Sequence, residues 1–285
     1  MRLLTWLLVL ASPALALAQP RIVAAEAVYA GMARQIAGPA DPVTALIANP
    51  AQDPHLFEAG PAAARALTDA TIVVYNGAGY DPWMRDLLAA TGGGGPRQVI
   101  SVGGLVRAPR GANPHLWYDP RTMDAAAAAL AHALQAADPA HRSDYASRLA
   151  AFRATLAPVL GQIAALRARH QGATVAATEP VFGPMLSLLG LRVADADFQL
   201  AIENDTEPSA ASLAALEQAL RTRSVQALLV NRQTRTDLTD HLTTLAHRSG
   251  LGVVAVSETE PPDQTYAAWV GAELGALGQA LDAAK

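Results

Sequence analysis

The chain has 285 residues, a formal net charge of −4 and no cysteine. The missing cysteines exclude a disulfide framework, a thiolate metal site and a lipid-modified N-terminal Cys. The mild acidity, with no Lys/Arg cluster, argues against a nucleic-acid partner, and the length suits two domains or one large one.

Residues 1–18 read as a signal segment. Arg2 is the basic start, Leu3 to Leu10 the apolar run, and Ala16-Leu17-Ala18 a small-x-small cleavage signal that makes Gln19 the first mature residue. The run is too short to span a bilayer, and no later stretch of about 20 apolar residues stands out. The expectation is a soluble periplasmic protein without a lipid anchor.

Arg21–Ala25 predicts a strand, and Glu26–Ile36 a helix stopped by Gly38-Pro39. Val43–Ile47 predicts a strand that delivers the chain into Asp53-Pro54-His55-Leu56-Phe57-Glu58. A helix opens at Gly60-Pro61. Thr71–Asn76 is a buried β-branched strand, Pro82–Ala90 a helix stopped by the glycines at 92–95, and Gln98–Val102 a short strand. Then comes Asn113-Pro114-His115-Leu116-Trp117-Tyr118-Asp119-Pro120, a histidine held between two prolines, and a helix from Pro120 to about Ala137. From about Ala140 to His170 the apolar residues Leu149, Phe152, Leu156, Leu160, Ile163 and Leu166 recur at helical spacing. A helix of roughly 30 residues is about 45 Å long, with Pro158 as a possible kink.

Alternation then resumes. Strands are expected at Thr174–Ala177, Arg192–Ala194, Val225–Val230 and Val253–Val256. Helices are expected at Val181–Leu189, Ser209–Arg221, Asp237–Arg248 and Tyr266–Ala284. The fold class is therefore α/β: two lobes, each a mostly parallel sheet flanked by helices, joined by a long central helix. The expected boundaries are a signal peptide at 1–18, an N-terminal lobe at 19–138, a linker helix at 139–171 and a C-terminal lobe at 172–285.

Loops leaving the C-terminal ends of parallel strands form the ligand crevice of such sheets. His55 and His115 occupy such positions in the first half, Glu179 and Glu260 (or Glu258) in the second. Two imidazoles and two carboxylates suit a first-row divalent metal in the interlobe cleft. Each residue also has an ordinary reading: the histidines could pack, Glu179 could favour a helix N-terminus, and Glu258 and Glu260 could be solvated loop acids. Their shared context, strand end plus proline, is what favours the metal. Asp119 and Glu58 are candidates to orient the imidazoles, with helix starts as their plain alternative. Gly77-Ala78-Gly79-Tyr80 lacks the rest of a dinucleotide fingerprint, and neither a Gly-x-Ser-x-Gly elbow nor a His-Glu-x-x-His pair occurs.

These motifs resemble the periplasmic component of zinc/manganese ABC transporters, the cluster A-I or ZnuA/PsaA-like solute-binding proteins, over essentially the whole mature chain. Asp53-Pro54-His55-x-Phe57-Glu58 is similar to that family's first ligand motif, and Asn113 to Pro120 to its second. Asn76-Gly77-x-Gly79-Tyr80-Asp81-x-Trp83 resembles its strand-to-helix segment. Thr178-Glu179-x-x-Phe182 falls where zinc members usually carry His and manganese members Glu; Glu260-Pro261 falls where most carry Asp. The resemblance implies a site of His55, His115, Glu179 and Glu260, with Glu258 as competitor for the fourth place. It also implies one bound Zn²⁺ or Mn²⁺ as cargo, a membrane permease as partner, a monomeric carrier, no catalysis, and a central helix that limits hinge closure. A metal-dependent hydrolase on the same ligands, or a siderophore- or haem-type binder on the same architecture, are the alternatives.

Overall fold

The computed structural model describes residues 19–52, 54–92 and 97–284, and for His55 the backbone alone. The signal segment, Asp53 of the first histidine motif and the glycines at 93–95 lie outside the described residues.

The N-terminal half holds strands β1 (Ile22–Glu26), β2 (Val43–Ile47), β3 (Ile72–Tyr75) and β4 (Gln98–Ser101). Its helices are α1 (Ala27–Ala37), α2 (Pro61–Thr68), α3 (Trp83–Ala90), the short α4 (Val102–Leu105) and α5 (Pro120–Ala137). The C-terminal half holds β5 (Thr174–Ala177), β6 (Arg192–Ala194), β7 (Ala227–Asn231) and β8 (Gly252–Val256). Around them lie α7 (Gly183–Leu189), α8 (Ala196–Glu203), α9 (Ala210–Thr222), α10 (Asp237–Arg248) and α11 (Tyr266–Ala283). Between the halves runs α6 (Arg142–His170), a continuous helix of 29 residues that passes through Pro158.

The two sheets repeat one topology, β2-β1-β3-β4 and β6-β5-β7-β8, with every pairing parallel. In each, the first strand sits second in the row, so the connection direction reverses between β1 and β3 and between β5 and β7. Those reversals are the crevices where α/β sheets bind ligands.

The buried residues of α6 are Tyr145, Phe152, Leu156, Val159, Ile163, Leu166 and His170. Val159 rather than Leu160 continues the inward stripe, and Leu160 is 45% exposed. Alternating steps of three and four put one side chain per turn against the core, and Leu160 falls outside that rhythm. By length and composition α6 could cross a membrane, a property the sequence reading overlooked. It instead packs against α1, α5, α7 and α11 and turns arginines to solvent, as an amphipathic core helix does. One hydrophobic core runs through both halves, from Ile22 and Tyr29 through Trp117, Phe152 and Leu156 to Phe182, Trp269 and Leu277.

Helix α8 (Ala196–Glu203) forms where apolar periodicity gives no expectation of an element. Its N-cap is Asp195, which adopts φ 55° and accepts a hydrogen bond from Phe198 N at 3.1 Å. A left-handed aspartate cap is compatible with local bonding but gives no periodic signal.

Candidate metal centre

His115 begins a single turn, Leu116–Tyr118, that leads into α5. Pro114 and Pro120 limit the backbone on either side, and the two aromatic residues after the histidine anchor the loop in the core. The Tyr118 hydroxyl lies 2.5 Å from Ser257 O and 2.8 Å from Glu273 Oε2, and Tyr266 donates to Trp117 O at 2.7 Å. These bonds cross from one half to the other. Burial, then the nearby Glu273, pushes the Tyr118 hydroxyl well above its usual range, so it stays a donor. Burial likewise raises Glu273 to about 8, against the pull of its Tyr118, Trp269 and Ser257 donors.

The imidazole of His115 is fully buried. Tyr80 and Trp117 meet it edge-on at centroid distances of 5.6 and 5.4 Å. Asn113 orients it. Asn113 Nδ2 donates to Pro180 O at 2.6 Å, so its Oδ1 is the atom facing the loop, where it receives His115 N at 3.0 Å and lies 2.8 Å from His115 Nδ1. An amide oxygen can only accept, so Nδ1 carries the proton and Nε2 keeps its lone pair. The residue that steers His115 is therefore Asn113, not Asp119. Asp119 caps α5, accepting Arg121 N at 2.9 Å and pairing with the Arg121 guanidinium at 2.6 Å. Glu58 is exposed.

His115 Nε2 faces Glu258 Oε2 at 3.4 Å. Glu258 follows β8 and is 2% exposed. The same Oε2 accepts the Tyr80 hydroxyl at 2.9 Å. Its other oxygen accepts Asn231 Nδ2 at 2.7 Å, and the same nitrogen donates to Glu179 Oε2 at 2.5 Å. Glu179 follows β5 and Asn231 ends β7, so both stand at the reversal point of the second sheet. His115 and Glu258 thus meet directly, and Glu179 joins them only through Asn231; among the described residues no three acidic or imidazole groups stand close enough to share one ion. His55 lies on the turn Pro54–Leu56 after β2; its side chain lies outside the described residues.

Glu260, expected as the fourth member, is placed differently. Its carboxylate lies so close to α1 that a Cβ on Gly31 would be 2.5 Å from both of its oxygens. It lines a cavity of about 490 Å³ with Gly31, Arg34, Gln35 and Pro261. Burial raises its pKa from 4.5 to about 8, against the pull of Arg34. The carboxylate that meets His115 is its competitor, Glu258. The chain leaves the extended state at Val256, so the even alternation that would have aimed positions 258 and 260 alike no longer holds.

Sequence reasoning missed a second buried pair behind the site. Glu26, at the end of β1, is pushed well above its usual range by burial and then by Asp81. Asp81 is also raised by burial, and is held back by the N–H groups of Asn76 and Gly77, which donate to it at 2.8 and 2.7 Å. Asn76 in turn accepts the Tyr29 hydroxyl at 2.6 Å and donates to Pro114 O at 2.9 Å, so the network supports the His115 loop. An acid at a strand end beside a Gly-x-Gly turn was its only signal.

Chemically, an imidazole nitrogen and a carboxylate oxygen converge from opposite halves, with a second carboxylate alongside. Donors roughly 2.0–2.2 Å from a tetrahedral metal stand roughly 3.3–3.6 Å apart, the spacing seen between Nε2 and Oε2.

The fold has close counterparts among solved structures. The periplasmic zinc binding protein TroA from Treponema pallidum superposes with a TM-score of 0.77 at 18% identity, over 92% of this chain and 99% of its own. The laminin binding protein Lmb of Streptococcus agalactiae, described as a bifunctional adhesin and metal transporter, gives 0.75 at 20%, over 92% and 99%. The Mn-bound periplasmic metal binding protein from Candidatus Liberibacter asiaticus, in a mutant form, gives 0.72 at 17%, over 92% and 100%. The family model described as "Zinc-uptake complex component A periplasmic" matches residues 22–280. The chain belongs to that family, whose members are the periplasmic metal-binding components of ABC uptake systems, substrate-binding proteins rather than enzymes.

Proposed function

We propose that this protein captures one Zn²⁺ or Mn²⁺ ion in the cleft between its halves and hands it to the membrane permease of an ABC importer. The ligands are His55, His115, Glu179 and Glu258. Residues 19–138 and 172–285 act as the two lobes, and 139–171 as a backbone that resists hinge closure. The protein is exported with residues 1–18 as its signal segment, works as a monomer and has no nucleic-acid partner. The metal is cargo, and no bond in it or around it is cleaved.

The observation that carries this reading is the 3.4 Å approach of His115 Nε2 to Glu258 Oε2. It is long for a hydrogen bond between these groups and fits two donors on one small cation. Preformed ligands lose little entropy when the ion arrives. Protons compete for the same lone pairs, so acid should release the metal. Calorimetric titration with Zn²⁺ and Mn²⁺ tests the reading. His115→Ala should lose at least ~100-fold in affinity, since even supporting residues around a metal are worth about 10–100-fold. Unchanged affinity for both ions would remove it.

A further inference from the structure

Asn231 is 1% exposed at the end of β7. Its side-chain oxygen accepts Gln233 N at 3.1 Å, which fixes the amide orientation and turns Nδ2 toward the two carboxylates. Its own N–H donates to Thr178 Oγ1 at 3.3 Å, and Thr178 N to Leu229 O at 2.9 Å, so β5 and β7 hold the residue in register. An asparagine nitrogen has two hydrogens. Its two short acceptors are Glu179 Oε2 at 2.5 Å and Glu258 Oε1 at 2.7 Å, with Thr234 Oγ1 farther off at 3.3 Å. Each carboxylate therefore gives one oxygen to the same amide. In Glu258 the oxygen not given to Asn231 is the one facing His115.

We propose that Asn231 is a specificity-determining residue that favours zinc over manganese by holding both carboxylates to one-oxygen ligation. The inference rests on the ligand set proposed above. Two carboxylates ligating through one oxygen each, with two imidazoles, supply four donors, the number a closed tetrahedral zinc site takes. Manganese(II) is suited by six-coordinate, oxygen-rich surroundings. Reaching six from this set requires both carboxylates to bind through both oxygens. Each such step breaks a charge-assisted hydrogen bond to a buried acceptor. Zinc needs neither step. Divalent zinc also outcompetes manganese on most sites of this kind, so the preference itself decides nothing. The deciding quantity is its change when the amide is removed.

Asn231→Leu keeps approximate size and removes both donors. Zn²⁺ and Mn²⁺ competition on parent and variant should show the zinc-to-manganese affinity ratio falling about tenfold or more. Co²⁺ reports coordination number directly. The parent should show the intense visible bands of four-coordinate cobalt, and Asn231→Leu the weak bands of five- or six-coordination. An unchanged ratio with an unchanged cobalt spectrum overturns the proposal while leaving the metal site intact. If the variant does not fold, the parent spectrum still decides, because weak six-coordinate bands there overturn the proposal. Failure of the parent to bind either ion, with His115→Ala indistinguishable from it, overturns the underlying ligand set instead.

Discussion

Glu258 Oε2 stands 3.4 Å from His115 Nε2, whereas the carboxylate of Glu260, two residues on, lies against Gly31. The two glutamates face different neighbours, and their substitutions should separate cleanly. Glu258→Gln should weaken Zn²⁺ binding by at least ~100-fold, beyond what supporting residues cost. Glu260→Gln should leave it within about threefold of the parent, a difference of under 1 kcal/mol. Titration of the two variants side by side is the check.

Asn113 Oδ1 lies 2.8 Å from His115 Nδ1. Asn113→Ala removes the acceptor that fixes the tautomer, and should lower metal affinity about 10–100-fold without loss of fold. Calorimetry with circular dichroism on the same samples tests both halves of that statement. An affinity equal to the parent's would show that ring packing alone orients the imidazole.

Glu260 makes stability depend on pH. Its folded pKa is raised from 4.5 to about 8 by burial, so folding takes up a proton between those values. The stabilisation is complete below the lower value and lost as pH rises through the upper one, by on the order of a few kcal/mol. Glu260→Gln has no proton to take up. It should melt with the parent near about pH 5 and above it near about pH 8.5. Parallel melting curves across that range would refute the assignment.

Gly31 offers an independent probe of the same contact. A methyl there would sit 2.5 Å from both oxygens of Glu260. Gly31→Ala should therefore push the Glu260 carboxylate toward the adjoining cavity, change stability by less than about 1 kcal/mol because alanine gains about that much helix propensity, and leave metal affinity as it was. Chemical denaturation reads the first quantity and titration the second.

Leu156 lies mid-stripe on α6 and is 3% exposed within the core that joins both halves. Leu156→Ala should cost about 2–5 kcal/mol. Leu160→Ala, on the exposed side at 45%, should stay within about 0.5 kcal/mol. Urea unfolding of both variants measures the difference.

Much of the architecture was legible in the sequence because apolar periodicity and Gly/Pro punctuation coincide. Val43–Ile47, Thr174–Ala177 and Asp237–Arg248 form as read. The stiffness of the His115 loop and the exit of Glu179 from a strand were visible for the same reason. Three features were not. The choice between Glu258 and Glu260 depends on where β8 stops being extended, which alternation cannot reveal. The shift of the α6 stripe from Leu160 to Val159 depends on which neighbours the helix meets. Asn231 reads as an ordinary strand-ending residue, and its bond to two carboxylates exists only because β5, β7 and β8 are neighbours in the sheet.

Anomalous diffraction at the zinc edge from crystals of the zinc-loaded protein tests the central claim most directly. The account predicts one strong peak roughly 2.0–2.2 Å from His115 Nε2 and from one oxygen each of Glu258 and Glu179, with His55 completing the set. A peak centred on Glu260 beside Gly31, or none in the cleft, would contradict it.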